Sequence, residues 1–600
     1  MFAFLRPPHD AAASPVDAMQ KPVSDLVQAE RQLLLDAQQR GTAATLGAFV
    51  RLSGPGWLQS AITLGGGSLA GALFLGALGG VSMLWLQLIA IIMGVVMLSA
   101  ISYVTLSTGE RPFQAINNHI NPVLGWGWLI ATSLANMIWC MPQFGLCYTS
   151  LNKNLAPSVV GDSDGAKYGA SLAILVVVSV VVAMNARRGW TAKLFDWLLK
   201  GLVGMIVICF FGVVCYLSMQ GLLDWGAILA GFIPDFSQWN GPSGEVGRLI
   251  QSMPQASQEF WTEQVVSNQR ARMIGAAATA VGINMTFLMP YSLLHRGWDK
   301  TFRGLARFDL STGMAIPYIL VTSCVVIASA HAFHARTDEQ FLSTDPAVFQ
   351  TSPTFAKTSG VLMARIDPAL AGKKFDAASD ADKAAYAAQM AALPESEKLV
   401  ASSMVQRDAA QLSQTLAPLI GDDFARIVFG LGVFGMGFST IIILMLINGF
   451  VFCEAMGRPD AKGPYFVGCL VAGVVGALWP AIWKGESQFW LAIVASNFGM
   501  MLLPIAYVTF FMMMNSSSLL GKEKPQGGAM IVWNVLMAVS VLGAIVAAGG
   551  ALWEKVTDAS SPKAALGGKF VLGMVVLYVV LIAVGFFLKP KAAAGGGAKG

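Results

Sequence analysis

The sequence predicts an all-α polytopic membrane protein with twelve spans, and three observations carry that reading. The 600 residues are 55% hydrophobic and 12% charged, with a mean hydropathy of +0.61, whereas a soluble domain carries about 25% charge. Apolar runs near the about 20 residues needed to cross a hydrocarbon core recur at 53–78, 81–106, 122–150, 168–186, 195–219, 272–295, 311–333, 424–454, 464–483, 487–514, 528–552 and 567–588. Basic residues crowd one set of the intervening loops, as they do on the cytoplasmic side of a membrane.

Residues 1–50 precede the first span. Met1 to Phe4 is too short for the apolar core of a targeting segment, and Arg6-Pro7-Pro8-His9 interrupts it. Val23 to Arg40 (VSDLVQAERQLLLDAQQR) reads as one amphipathic helix with Ser24 as its N-cap, a cytosolic helix lying against the membrane domain. The membrane domain is expected over 51–588, with a tail at 589–600.

The ends of the even-numbered spans carry Arg111; Arg187, Arg188 and Lys193; Arg296, Lys300, Arg303 and Arg307; Arg458 and Lys462; Lys522 and Lys524; and Lys589 and Lys591. The opposite short loops carry fewer, such as Lys153, Lys167 and Lys484, although the last, with Lys555, Lys563 and Lys569, does not fit. The balance places both termini in the cytoplasm of a cell-membrane protein. Seven cysteines lie in apolar segments without metal-type spacing and read as small buried side chains.

Two outward segments are long. The first, about 220–270, is rich in aromatic residues. The second, 335–423, is polar and alanine-rich, and Ser379 to Leu393 reads as a helix that starts at a Ser/Asp cap and stops before Pro394. It is expected to form a small helical cap. His331 and His334 close the seventh span, and two histidines alone are a weak metal signal.

The first span is interrupted at TLGGGSL by Gly65-Gly66-Gly67, and the sixth by Met289-Pro290 in NMTFLMPYSLLHRGW. Spans one and six occupy matching places if spans 1–5 and 6–10 are two repeats. Such paired interruptions point to a transporter midplane site. Backbone unwound in lipid would strand polar groups at several kcal/mol each, so it persists only where a cavity, a helix or a substrate takes them. Glycine spaced for helix packing explains a triplet and a matching proline poorly. The glycines are expected to take dihedrals that only glycine adopts cheaply.

GPGWLQSAITLGGGSLAGAL resembles the first span of the Nramp divalent-metal transporters, which begins GPG and unwinds at Asp-Pro-Gly-Asn. LMPYSLL resembles their sixth-span Met-Pro-His segment, and IATSLANMI their third span. FSTIIILMLINGFVFCEAMG, with Ser439, Thr440, Gly449 and Glu454, resembles their eighth, and LLPIAYV their tenth. The likeness covers most of 51–515 in consistent order. It implies the leucine-transporter-type fold, with two inverted five-helix repeats plus two helices.

By that resemblance the metal-binding Asp and Asn of span one fall at Gly65 and Ser68. The sixth-span Met is kept as Met289, the small residue before it is Thr286, and the His after it is Tyr291. The acidic pair of the proton route falls at Ser133 and Asn136, and the tenth-span Gln at Ser496 or Asn497. Every ionisable group of that pathway is thus replaced by a neutral one.

The same holds without the family. Asp196, Asp299, Asp309 and Glu454 sit near span ends, and no mid-span carboxylate serves as proton relay or counter-ion. Magnesium keeps several waters and needs no carboxylate cage. Ser68, Thr286, Asn136 and the carbonyls at Gly65 to Gly67 could hold such a hydrated ion, and the Met289 thioether could serve a softer metal. The leading function is therefore midplane transport of a divalent cation, without Nramp-type proton coupling. The alternatives are a neutral or zwitterionic solute, whose carboxylate would meet half-helix N–H groups, or a non-transporting membrane sensor. No nucleophile–base set suggests an enzyme. No cofactor and no nucleic-acid partner is implied, only the bilayer and the cargo.

Overall fold

The computed structural model describes residues 25–185, 190–407, 411–414, 417, 421–459, 461–483, 488–557 and 562–587, all helix or connection with no strand among them. Among the described residues, ten continuous helical stretches are long and apolar enough to cross a membrane. The first, Gly66–Thr108, contains half of the expected span one and all of span two, and the expected ninth span is the shorter helix Lys462–Ala477. Counted this way, the twelve expected spans all correspond to helices, and the chain is a multi-pass membrane protein.

Helices α1 (Asp25–Arg40) and α2 (Thr42–Leu52) precede the bundle. Ser24, the expected cap, lies outside the described residues. Leu34 of α1 is fully buried, Glu30 accepts from Trp298 Nε1 at 3.3 Å, and Arg31 pairs with Asp299 at 3.5 Å. The helix therefore rests on the turn that follows span six.

Span one consists of α3 (Pro55–Thr63) and α4 (Gly66–Gly79). Then come α5 (Leu84–Thr108), α6 (Pro122–Ser150), α7 (Asp164–Asn185) and α8 (Trp190–Met219). Span six consists of α9 (Gln255–Ala280) and α10 (Ile283–Arg296). Its first half starts about 17 residues earlier than the apolar run: Gln255 to Arg270 is polar helix that buries Trp261 and Val265 in the insertion core and leaves Gln255, Glu259 and Glu263 exposed. Next follow α11 (Arg303–Asp309), α12 (Ile316–Phe333) and, in the insertion, α13 (Phe355–Ile366), α14 (Asp380–Ala391) and α15 (Glu395–Ser403). Ser379 caps α14 as expected, accepting from Asp382 N–H.

The insertion has its own apolar core, joining Phe341, Phe349, Leu362 and Met390 to Val246, Trp261 and Val265. At its centre the buried Glu397 accepts from Trp261 Nε1 at 2.8 Å and Arg365 Nε at 2.6 Å. His334 is no isolated metal donor. Its Nε2 accepts from Glu245 N–H at 2.9 Å, and Nδ1 lies 3.3 Å from Ala77 O, which ties the end of span seven and the outward segment at Glu245 to the end of α4.

The bundle closes with α16 (Asp422–Ala455), α17 (Lys462–Ala477), α18 (Gln488–Asn515), α19 (Gly527–Thr557) and α20 (Pro562–Phe587). Helix α16 packs along α6 and α17, and α4 lies between α9 and α12. Helix α20 keeps Phe570, Met574, Leu577 and Val580 exposed, as a lipid-facing helix should. The seven cysteines, all among the described residues, form no disulfide.

Candidate functional site

Span one breaks at Leu64–Gly65, where Gly65 is extended at φ −87°, ψ 176°. Span six breaks at Val281–Gly282, with Gly282 at φ −87°, ψ 165°. This corrects the expected position: Met289-Pro290 lies inside α10. Pro290 sits in the interior of that helix, where it forgoes the bond to the Thr286 carbonyl without ending the helix. The actual break uses Val281-Gly282, whose β-branched and glycine residues favour extended backbone over helix.

None of the three glycines has a positive φ. The expectation of special dihedrals is replaced by one of close approach. A Cβ on Gly65 would lie 2.6 Å from Thr440 Oγ1, and one on Gly67 would lie 3.1 Å from Ser496 Oγ and 3.2 Å from Thr279. On Gly66 it would overlap the Leu146 side chain. The triplet lets four other spans approach the backbone.

The freed backbone groups find partners there. Gly66 N–H donates to Gln143 Oε1 of α6 at 2.9 Å. Ala61 O, at the end of α3, accepts from Ser439 Oγ at 2.9 Å and Thr440 Oγ1 at 3.3 Å of α16. Ser68 Oγ bridges the two breaks, reaching Thr63 O at 2.5 Å and Thr279 O at 3.2 Å. These bonds satisfy what lipid could not.

Around this crossing lies a cavity of about 20 Å³ bounded by Gly65, Gly67, Ser68, Gln143, Thr279, Thr440 and Ser496, with Ile62, Trp139, Pro142 and Ala492 as its apolar wall. That volume is about the room of one water. Its polar lining is neutral: the hydroxyl residues Ser68, Thr279, Thr440 and Ser496 and the Gln143 amide. Among the described residues, no three or more His, Cys, Asp or Glu side chains come together.

Of the sequence candidates, Gly65, Gly67, Ser68 and Ser496 line the cavity, and Gly66 stands behind it. Thr286 does not face Ser68; the group that Ser68 meets is the backbone carbonyl of Thr279, because the break lies earlier in the chain. Thr286 instead accepts from Trp128 Nε1 at 2.9 Å and donates to Ile283 O. Met289 is buried further along α10, and it is Met285 Sδ that meets Thr63 Oγ1 at 3.4 Å. Tyr291 belongs to a different network, bonded to Glu454, which pairs with Arg111 at 3.0 Å. Asn136 is fully buried beside the site without lining it, and Asn497 lies behind α9, near Gly275.

Gln143 and Thr279 were not singled out from the sequence. Gln143 carried a signal: it is an amide in an apolar span, two helical turns from Asn136 and therefore on its face. Thr279 carried none, since its role depends on where span six breaks.

A family model described as natural resistance-associated macrophage protein-like (Nramp) matches residues 56–364 and 386–549. The fold is similar to the crystal structure of the Eremococcus coleocola manganese transporter in complex with an aromatic bis-isothiourea substituted compound. That likeness has a TM-score of 0.60 at 13% identity and covers 90% of this chain and 95% of that one. Two point mutants of the same transporter, a histidine-to-alanine and a glutamate-to-glutamine variant, give 0.60 at 12% identity over the same shares. No curated protein sequence matches the chain.

Proposed function

Because the chain belongs to the Nramp family, we propose that it transports a divalent metal cation through the cavity between the breaks of spans one and six. The cargo in this reading is a hard, magnesium-like ion carried with part of its water. The observation that carries it is the lining itself: neutral oxygens from Ser68, Thr440, Ser496 and Gln143, with no carboxylate or thiolate. Hard oxygen donors suit magnesium, which dehydrates reluctantly. Softer ions prefer nitrogen and sulfur. A cavity of about one water's volume is a closed state, and the bundle must open around it for an ion to pass.

Neutral side chains at the family's acid positions support transport without Nramp-type proton coupling. Ser133, at one family acid position, donates to Asn448 Oδ1 at 2.8 Å, and Asn136 stands at the other. Neither amide nor hydroxyl exchanges a proton near neutral pH. The basic face that carries Arg111, Arg296 and Arg303 is read as cytoplasmic, in a cell membrane. Gln143 already occupies the N–H that a solute carboxylate would need, which speaks against the zwitterion reading.

The test is ion flux into proteoliposomes with Mg²⁺, Mn²⁺ and Ca²⁺ outside and fluorescent reporters inside. Saturable Mg²⁺ entry that Ser68→Ala weakens supports the proposal. Entry of none of the three ions, with the protein monodisperse and folded, would overturn it.

A further inference from the structure

Below the cavity, toward the Arg111–Glu454 pair, four fully buried polar side chains hold atoms with no hydrogen-bond partner. They are Gln59 Oε1, Thr132 Oγ1, both side-chain polar atoms of Asn136, and Asn284 Nδ2. Buried polar atoms are normally paired, and each exception calls for a reason.

All four surround one stretch of backbone, the first turn of α10. Gln59 Nε2 donates to Met285 O at 3.3 Å, and Asn284 Oδ1 accepts from Met285 N–H at 2.9 Å. Along α6, Trp128 donates to Thr286 at 2.9 Å, and the Trp139 ring lies where a Cβ of Gly282 would stand. Positions 128, 132, 136 and 139 share one helix face. Antiparallel to α10, that face sets Thr132 and Asn136 opposite residues 283 to 285. Spans one, three and six thus each bring an unpaired amide or hydroxyl to the neighbourhood of the same turn.

We propose that these side chains form a second ion station, between the cavity and the basic face, for a divalent cation that keeps its waters. This deepens the transport reading and rests on it. Gln59 Oε1, Thr132 Oγ1 and Asn136 Oδ1 would accept from the ion's coordinated water, whose protons point outward. The two asparagine N–H₂ groups would hold further water around it. A neutral station binds weakly and so lets the ion leave. The unpaired atoms are then the resting state of a passage that wets when the helices part.

The test uses one position changed in two directions. Thr132→Val keeps the shape and removes the oxygen; Thr132→Asp adds a charge. Thr132→Val, and separately Asn136→Leu, should slow Mg²⁺ turnover in proteoliposomes about tenfold with KM within twofold, whereas Ser68→Ala should raise KM. In equilibrium dialysis of the detergent-solubilised protein with Mn²⁺, read by electron paramagnetic resonance, Thr132→Asp should retain one more ion per chain than wild type. This measurement needs no transport, so it stands even if the flux assay fails and the transport reading falls with it. Wild-type turnover in Thr132→Val and Asn136→Leu, with raised thermal stability, would make these groups packing defects and overturn the proposal. So would an unchanged Mn²⁺ count in a folded Thr132→Asp.

Discussion

The backbone N–H of Gly66 donates to Oε1 of Gln143 at 2.9 Å, so the second half of span one is capped by an amide from span three. Helix N-termini leave such donors without intrahelical partners, and Gln143 takes the place that water or a capping side chain would fill. Gln143→Leu leaves that N–H buried and unpaired and should cost about 1–3 kcal/mol of stability, with flux lost. Gln143→Glu keeps the acceptor and brings a charge to the cavity wall. It should raise Mn²⁺ affinity at least tenfold in equilibrium dialysis, and an unchanged affinity would mean that this wall does not meet the ion.

Gly66→Val should abolish flux through sterics, since its side chain would collide with Leu146 while helical dihedrals suit it. Gly66→Ala together with Leu146→Ala relieves that collision and should recover most of the activity. If the single valine variant transports normally, the closeness of these spans does not matter to transport.

Gly65→Asp restores a carboxylate where the family has one. Its Cβ would stand 2.6 Å from Thr440 Oγ1, so the variant is expected to need Thr440→Ala beside it. The pair should bind Mn²⁺ more tightly than wild type by calorimetry. No gain would separate this pocket from the family's while leaving the fold shared.

Substrate entry should bring no protons. Vesicles loaded with a pH dye should show no acidification that scales with Mg²⁺ uptake, because Ser133 and Asn448 form a neutral pair. A stoichiometric proton current would locate a relay elsewhere.

The carboxylate of Asp309 accepts from Gly56 N–H at 2.6 Å, Gly54 N–H at 3.1 Å and Ser53 Oγ, clamping the start of α3. Hydrogen bonds to a charged group contribute about 1.5–3 kcal/mol each. Asp309→Ala should therefore loosen α3, and a Ser60→Cys reporter in that background should label with a thiol reagent at least tenfold faster. Equal labelling would show that α3 is held by packing alone.

His334 gives the junction between Glu245 and the end of α4 a pH dependence. Burial lowers its pKa below the ordinary 6.5, with Arg248 lowering it further and Glu245 and the Ala77 carbonyl opposing. The unfolded chain therefore binds more protons in this window, and stability falls as pH drops below about 6.5. Protonation would also remove the acceptor that holds Glu245 N–H. The melting temperature should decline from pH 7.5 to 5.5, and His334→Gln should flatten the decline.

Most of the fold was legible in the sequence, because apolar length and loop charge are local properties read along the chain. The twelve runs, the Ser379 cap and the break at Leu64–Gly65 needed nothing beyond the order of residues. The neutrality of the site was legible too, since a residue type does not change on folding. What only the tertiary structure decided was which atoms meet. Pro290 looked like the break and Val281-Gly282 did not, because a proline inside a helix can remove one hydrogen bond without ending it, and the outcome depends on what packs around it. That shift of eight residues moved Thr286, Met289 and Tyr291 away from Ser68 and brought Thr279 to it. Gln143 became the cap of Gly66 through contact between spans 77 positions apart in the chain, a pairing that periodicity along one helix cannot specify. Membrane burial is written residue by residue, but satisfaction of an unwound backbone is a property of the helices that surround it.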